Sequence, residues 1–420
     1  MQEIVIERNL SNVNFIKRIL KYQLKFYFTQ ISSVKFNENN ITIQATEYLN
    51  KEEVESTLDG IMNKLSNTAL IGKQNTLFDS RENGSLDKFH VNIEKKHRDT
   101  FVRSVKRTLE KNLENNLCSF KKTFEKYNYP ISIGINAYNN NYIKLYTFLD
   151  ELIKAYFEEI YGVEEINVPS MILTETIDKS GYFETGCQHI SFVAPITNNP
   201  SKFDEFQKKY SELYKEKQVY NYVKKPKYIL NPALCLHCYP LLKGYKFDTK
   251  SDVILTVKGS CFRDESGNLN NQERLHEFSM REIVFFTNDY KIKKYQKESI
   301  NFFYLLGRLI GLDFKLEIAN DIFFSDNAEK QLFSQLISDD KIELCIYCNN
   351  VSEYISVASI NKHHNHFSKP FELKDENEKL INTMCIGFGL DRLVLALLNI
   401  NQNQSIDQFR QKLLENLKCI

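Results

Sequence analysis

The stretch that decides the fold is CFRDESGNLNNQERLHEFSMRE, residues 261–282. Arg263 and Glu265 precede a short turn rich in glycine and asparagine, and Arg274 and Phe278 follow it. A strand–turn–strand hairpin would bring these four side chains to one place. They offer a guanidinium fork, a carboxylate, a second cation and a flat ring. This combination suits a site that holds a bent ATP while its α-phosphate is attacked.

A second stretch, CIGFGLDRLVLALL at residues 385–398, supports the same interpretation. Gly387 and Gly389 lack a Cβ and allow another group to approach the backbone closely. Arg392 opens an apolar run with helical spacing, so its guanidinium is expected at the start of a helix. The two stretches together indicate a nucleotide site more strongly than either does alone.

In this order, the two stretches resemble motifs 2 and 3 of the class II aminoacyl-tRNA synthetases. The resemblance implies an α+β fold, with an antiparallel sheet flanked by helices. A predicted amphipathic helix at 143–160, followed by an extended segment that contains Pro169, is similar to motif 1 of that family. Such a helix and strand would leave an apolar surface exposed in a single chain. We therefore expect a homodimer.

The resemblance also implies a role for each side chain of the nucleotide site. Arg263 would bind the α-phosphate and the amino-acid carboxylate, and Glu265 would accept a hydrogen bond from the adenine amino group. Phe278 would stack on the adenine, and Arg274 would bind the β- and γ-phosphates. Arg392 would lie against the γ-phosphate or the other face of the base. Mg²⁺ would accompany ATP.

Several local strings, among them NPALCLHCYPLL at 231–242, look closer to the amino acid:[carrier protein] ligases. These ligases are related to the atypical seryl-tRNA synthetases of methanogenic archaea. The resemblance implies one zinc ion held by Cys235, Glu282 and Cys385, with a coordination position left for the α-amino group of a small amino acid such as glycine, alanine or serine. It also places Asn361 near the substrate side chain.

Two other metal sites can be read from the sequence. Cys235 and Cys238 could join Cys345 and Cys348 in a structural Cys₄ site. However, KIELCIYC at 341–348 alternates like a strand, which predicts that Cys345 and Cys348 lie on opposite faces. The run HHNH at 363–366 could also bind metal, but a polar segment near the active site is the simpler interpretation.

The pattern divides the chain into an N-terminal α+β domain at 1–127 and a catalytic domain at 128–420. In the first, residues 2–6 read as a strand, 11–29 as a helix, 35–45 as a hairpin and 50–65 as a helix. Residues 72–87 read as a polar linker. A helix predicted at 94–126 carries ten Lys and Arg against five Asp and Glu, which fits a solvated helix or a nucleic-acid-binding arm.

The acceptor of the activated amino acid has two candidates. The ligases transfer it to the phosphopantetheine thiol of a carrier protein, and the synthetases transfer it to tRNA. The catalytic strings favour the ligases, and a carrier would be a separate protein because no attachment sequence is present. The extra N-terminal domain keeps tRNA open, since the corresponding domain of the atypical synthetases binds tRNA.

Composition limits the other possibilities. The formal net charge is +1, so no overall field favours a polyanionic partner. The N-terminal residues do not form a secretory signal, and apolar runs stay well short of the ~18 residues that a membrane span needs. Nine cysteines are dispersed along the chain, which fits reduced thiols. We expect a cytoplasmic enzyme without a membrane partner.

Overall fold

The computed structural model describes residues 2–8, 14–37, 39–65, 76–81, 93–113, 127–216, 218–248, 250–319, 340–400 and 406–420. The strands are β1 (Gln2–Glu7), β2 (Ile31–Phe36), β3 (Asn40–Ala45), β4 (Thr76–Asp79), β5 (Asn128–Ser132), β6 (Ile135–Tyr138), β7 (Glu164–Ile166), β8 (Met171–Leu173), β9 (Phe192–Val193), β10 (Tyr228–Leu230), β11 (Lys246–Phe247), β12 (Val253–Phe262), β13 (Glu277–Thr287), β14 (Phe314–Ile318), β15 (Lys341–Cys348), β16 (Glu353–His364), β17 (Lys374–Asp375) and β18 (Asn382–Gly389). The helices are α1 (Asn14–Tyr27), α2 (Lys51–Lys64), α3 (Lys95–Leu113), α4 (Asn140–Tyr161), α5 (Thr174–Lys179), α6 (Tyr182–Thr185), α7 (Pro200–Lys215), α8 (Cys238–Leu241), α9 (Asp289–Ile310), α10 (Ser368–Phe371), α11 (Leu390–Ile400) and α12 (Ile406–Leu417).

The centre of the chain is an eight-stranded sheet in the order β4-β14-β15-β16-β18-β13-β12-β7. Neighbouring strands are antiparallel except β7, which runs parallel to β12. Helices cover one face of this sheet, and a mixture of short elements lies against the other. The predicted α+β class, an antiparallel sheet flanked by helices, is confirmed.

The N-terminal residues form a smaller unit with its own core. Strands β1, β3 and β2 form an antiparallel sheet, and α1 and α2 contribute to an apolar cluster drawn from residues 4–65. The predicted strand, hairpin and second helix all appear here. In contrast, β4 joins the large sheet and α3 packs into the large core. The prediction that residues 72–87 form a linker is therefore wrong for Thr76–Asp79, and the division at residue 127 remains a prediction.

The two faces of strand β13 serve two different cores. Ile283 and Phe285 pack with the helices α4, α9 and α11, whereas Val284 and Phe286 pack with α8 and its neighbours. This alternation follows from the period of two along a strand. Because Glu282 lies on the same face as Val284, its carboxylate lies opposite the helical layer.

A buried ion pair anchors β13 on its helical side. Arg281 is 2% exposed, and its Nε and Nη2 donate to the Asp150 carboxylate on α4 at 2.5 and 3.2 Å. Its Nη1 donates to Glu165 on β7 and to the hydroxyl of Thr256 on β12, both at 3.0 Å. Arg281 thus ties α4, β7 and β12 to the strand that carries Glu282. Removing one partner of such a buried pair typically costs about 3–5 kcal/mol.

Two predicted elements look different in the structure. Helix α4 buries its apolar face inside its own chain, with Leu145, Phe148 and Leu152 in the main core. The exposed apolar helix face that led us to expect a dimer is therefore absent. Pro169 lies between β7 and β8 and not within a strand. A proline lacks the amide hydrogen of a ladder, which explains the break.

The described part of the basic helix is α3. Its apolar residues Phe101, Val105 and Leu109 pack in the main core, and Lys111 pairs with Glu151 of α4 at 2.8 Å. Helix α3 therefore packs on α4, and an ion pair with α4 neutralises one of its positive charges. The remainder of 94–126, from residue 114, lies outside the described residues. Among the described residues, no helix is long and apolar enough to cross a membrane.

Candidate active site

The β12–β13 hairpin brings the predicted nucleotide residues together. Cys261 pairs with Phe278 in the ladder, so Arg263 leaves β12 beside the Phe278 ring, with its guanidinium carbon 5.3 Å from the ring centroid. The Arg263 Nε donates to the carbonyl of Pro232 at 3.1 Å, which orients the guanidinium plane. Beyond the strand, Arg274 donates to the carboxylate of Glu265 at 2.5 Å.

Arg392 reaches the same place from the first turn of α11. Its Nε donates to the carbonyl of Glu273 at 2.8 Å, and its Nη1 donates to the carbonyl of Ser356 at 3.0 Å. One guanidinium therefore links the hairpin loop to β16. Motif 3 and motif 2, although distant in sequence, lie against one another as the resemblance implies.

The electrostatics of this cluster favour an anionic ligand. Burial alone would raise the pKa of Glu265, but Arg274, then Arg392 and His189, lower it to about 2. Burial lowers the pKa of Arg392, and the nearby Arg274 and Arg263 lower it further. Three arginines thus surround a single buried carboxylate that stays ionised at neutral pH. An approaching polyphosphate would relieve the mutual repulsion of these cations.

A cavity of about 220 Å³ opens beside these groups. Arg263, Glu265, Phe278 and Arg392 line it, whereas Arg274 donates to Glu265 and is not part of the lining. Both predicted glycines also line the cavity. A Cβ on Gly387 would lie 2.8 Å from the Met280 methyl, so a larger residue would displace the cavity wall.

The three predicted metal ligands meet on the same face of the sheet. One ligand atom each from Cys235, Glu282 and Cys385 lies within 4.8 Å of the others, and all three residues are buried. The Cys385 thiol donates to Glu282 Oε2 at 3.3 Å. The backbone N–H groups of Leu234 and Cys235 donate to the two carboxylate oxygens at 3.2 and 2.7 Å.

The chemistry of this donor set fits a divalent cation. The Cys235 thiol, then burial and the Glu282 carboxylate, raise the pKa of Cys385 well above its ordinary value. Without a cation, two thiols and a carboxylate packed together out of water do not all ionise, because three neighbouring negative charges repel one another. A cation such as Zn²⁺ favours the ionised forms of all three groups. The ligand types are those that Zn²⁺ prefers, and three protein ligands leave a position open.

The alternative metal sites are not assembled. In the described part of the chain, the triad is the only group of three or more Cys, His, Asp or Glu side chains close enough to share an ion. Cys345 and Cys348 lie on β15, as predicted, and belong to no such group. His363 instead approaches the hydroxyl of Tyr239 at 3.3 Å.

Asn361 lies between the two halves of the site. It is the ladder partner of Cys385, lines the cavity, and donates from Nδ2 to the hydroxyl of Ser359 at 3.0 Å. Lys341 and Glu343 on β15 line the same wall and pair at 3.2 Å. We did not predict this ion pair from the sequence. The alternation of polar and apolar residues in KIELCIYC indicates a strand but does not indicate that these two side chains line a cavity.

Asp391 was also not predicted from the sequence. Its carboxylate accepts from the backbone N–H of Ser279 at 2.6 Å and from the Tyr142 hydroxyl at 2.5 Å. The side chain therefore ties the start of α11, and with it Arg392, to β13 and α4. Its position next to Arg392 in GLDRL could have pointed to it.

Comparisons with known proteins concern the core domain and the fold. Residues 218–401 match the tRNA synthetase class II core domain family (G, H, P, S and T). This segment therefore corresponds to a class II synthetase core domain. The fold of the chain is similar to that of M. kandleri SerRS, solved in complex with A. aeolicus tRNASec, with a TM-score of 0.58, 19% identity, and coverage of 99% of this chain and 77% of that one.

The curated relatives are ligases of two kinds. The type-2 serine–tRNA ligase of Methanocaldococcus jannaschii is 25% identical over 264 residues, 60% of this chain and 50% of that protein. Amino acid–[acyl-carrier-protein] ligase 1 of Bradyrhizobium diazoefficiens is 25% identical over 266 residues, 63% of this chain and 79% of that protein. This chain spans about half the length of the type-2 serine–tRNA ligases it matches. The two kinds of ligase are equally similar.

Proposed function

We propose that this chain activates a small amino acid with ATP and transfers it to the phosphopantetheine thiol of a separate carrier protein. One observation carries the first half: Arg263 and Arg392 line a cavity that is also lined by Asn361, the ladder partner of Cys385 in the buried triad of zinc-type ligands. The arginines suit a polyphosphate, and the triad suits an amino group.

In the activation step, a carboxylate oxygen of the amino acid attacks the α-phosphorus of ATP, and pyrophosphate leaves with the electrons of the broken P–O bond. Arg263 is suited to bridge the two anions, because its Nε is held by Pro232 while its guanidinium lines the cavity. Preorganised charge of this kind is a major source of catalysis. Phe278, stacked against Arg263, offers its ring to the adenine.

Cys235, Glu282 and Cys385 would hold the zinc ion. When bound, zinc supplies an open coordination position for a neutral α-amino group. Glu282 is fixed for this task by two backbone N–H donors, and Asn361, next to Cys385 in the ladder, would face the substrate side chain. Mg²⁺ would enter with ATP as part of the nucleotide substrate.

In the transfer step, the phosphopantetheine thiolate attacks the acyl carbon of the adenylate and AMP leaves. The similarity to amino acid–[acyl-carrier-protein] ligase 1 over 79% of its length supports this acceptor. The alternative is aminoacylation of tRNA, which the equal similarity to type-2 serine–tRNA ligases supports. Helix α3, the described part of the basic helix, packs on α4 and so has a structural role. This role favours the carrier protein over tRNA as the acceptor.

We also propose that the chain acts as a homodimer in the cytoplasm. The structural support for a dimer is not the exposed apolar helix face that we predicted from the sequence. Strand β8 forms an edge of the β8-β10-β9 sheet, and its side chains Met171 and Leu173 are 44% and 49% exposed. An apolar edge of this kind is stabilised when a second copy covers it. Light scattering at micromolar concentration tests the dimer, and a fully active monomer would contradict it.

The experiment that tests the function has two stages. Pyrophosphate exchange into ATP is measured with each standard amino acid, and the active one is then offered to a holo carrier protein, its apo form, and bulk tRNA. Labelling of the holo form alone supports the carrier assignment. Stable aminoacylation of tRNA that weakens steeply with salt would replace it with the synthetase function. Absence of exchange with every amino acid would contradict both.

A further inference from the structure

The N-terminal unit touches the loop that carries the arginine cluster. The loop between β12 and β13 contains a short 3₁₀ turn, Ser266–Asn268. The side-chain amide of Asn268 donates to the backbone carbonyl of Tyr22 on α1 at 3.0 Å, and both residues are buried. The C-terminal half of α1 therefore lies directly on the tip of the hairpin.

Gly267 makes this approach possible. A Cβ at this position would lie 2.3 Å from the carbonyl oxygen of Lys25 and 3.1 Å from the Cα of Thr29. The first distance is far inside van der Waals contact, and both neighbours are backbone atoms that cannot rotate away. Only a glycine lets the loop pack against the end of α1 at this separation. The contact is thus built into the sequence of the loop as well as that of the helix.

Tyr22 reaches from this contact to the ion pair of the site. The guanidinium carbon of Arg274 lies 5.1 Å from the centroid of the Tyr22 ring, within the range of a cation–π interaction. Tyr22 is 6% exposed, so the interaction is shielded from water. Burial, then the Glu265 carboxylate, raise the pKa of Tyr22, which keeps the phenol protonated as a donor beside Glu265.

The contacts of Tyr22 and Arg274 hold Glu265 in place. It lines the cavity, Arg274 donates to its carboxylate, and the Tyr22 ring lies against Arg274. Without Tyr22, Arg274 would keep its charge but lose the surface that confines its long side chain. Glu265 would then be held by a partner with several rotamers, at the point where the nucleotide would bind.

We propose that Tyr22 is a positioning residue of the ATP site, which makes the N-terminal unit part of the nucleotide-binding machinery. This inference rests on the proposed ATP-dependent function. It assigns the N-terminal unit a role within its own chain, whichever acceptor the enzyme uses.

The test compares Tyr22→Ala and Tyr22→Phe in the full chain, with Tyr48→Ala as the matched control, because Tyr48 belongs to the same unit and is 82% exposed. ATP affinity is measured by calorimetry, and pyrophosphate exchange gives KM and kcat. We expect Tyr22→Ala to weaken ATP binding by about tenfold, the effect of losing a desolvated cation–π contact and a hydrogen bond to a carboxylate. Tyr22→Phe keeps the ring and should stay within about threefold of the wild type.

The pattern of effects separates positioning from folding. Positioning raises the KM for ATP and leaves the KM for the amino acid unchanged, whereas a loss of folded protein would lower the apparent kcat and leave both KM values unchanged. Gly267→Ala approaches the same contact from the loop and should also weaken ATP binding. Unchanged ATP affinity in a folded Tyr22→Ala variant would overturn the inference while leaving the proposed function intact. A wild-type chain that binds no ATP would instead overturn the proposed function.

Discussion

The carboxylate of Glu282 accepts the backbone N–H of Cys235 at 2.7 Å, so one proposed metal ligand holds the segment that carries another. The second oxygen accepts from Leu234 at 3.2 Å. These two hydrogen bonds dock the 3₁₀ turn Leu234–His237 onto β13. This preorganisation lowers the entropic cost of assembling a metal site from two distant segments.

The first prediction concerns metal content. Purified wild-type protein should contain about one zinc ion per subunit, and Cys385→Ser should lose it, because a serine hydroxyl is a poor ligand for Zn²⁺. The variant should lose amino-acid binding while most of its ATP affinity remains. Elemental analysis and calorimetry measure the two effects. Cys345→Ser is the control, since Cys345 is also buried but lies outside the triad. Zinc lost from Cys345→Ser instead would favour the Cys₄ site.

The second prediction concerns Arg263. Replacement by alanine should reduce the rate of pyrophosphate exchange on the order of 10²–10³-fold, as expected for one preorganised charge-stabilising group. Arg263→Lys should recover little, because an ammonium group lacks the fork that bridges two anions. Arg308→Ala on the exposed side of α9 is the matched control. Wild-type exchange rates in folded Arg263→Ala protein would remove Arg263 from the mechanism.

The third prediction is a pH dependence of stability at Glu265. Its pKa falls from an ordinary 4.5 to about 2 in the folded chain. The ionised carboxylate therefore contributes stability above about pH 4.5, and this contribution is lost as the pH falls towards 2. Glu265→Gln should be less stable than the wild type at pH 7, and the difference should shrink at acid pH.

Urea denaturation between pH 7 and pH 3.5 measures the stability difference at Glu265. The exposed Glu110→Gln on α3 is the control. A gap between wild type and Glu265→Gln that stays constant over this range would show that the carboxylate does not carry the effect.

The fourth prediction concerns Asp391. Asp391→Asn keeps the shape of the side chain but replaces a carboxylate that accepts two hydrogen bonds at 2.5 and 2.6 Å. We expect a loss of about 1–3 kcal/mol in the free energy of unfolding. ATP affinity should also fall, because Arg392 follows directly on α11. Asp407→Asn, in the exposed first turn of α12, is the control. Equal stability of the two variants would contradict this role.

The hairpin could be predicted because its turn residues and the flanking Arg263 and Phe278 are close together in the sequence. The triad of Cys235, Glu282 and Cys385 could be predicted only from the resemblance to a known family, because its members are far apart in the chain. Tyr22 and Asp391 act through contacts between elements far apart in the chain, and a single sequence carries no local signal for such contacts. Strand β4 was missed for a similar reason: four residues between polar stretches look like a linker until β14 pairs with them.

Arg281 and Glu282 are neighbours on β13 that point into opposite halves of the molecule, one towards Asp150 and the other towards the thiols. A slip of the strand by one residue would exchange them and bury an arginine among the cysteines. In that register the buried arginine would lack its carboxylate partner, at a cost of about 3–5 kcal/mol. The ion pair on one face of β13 therefore favours the register that places the Glu282 carboxylate beside the thiols on the other face.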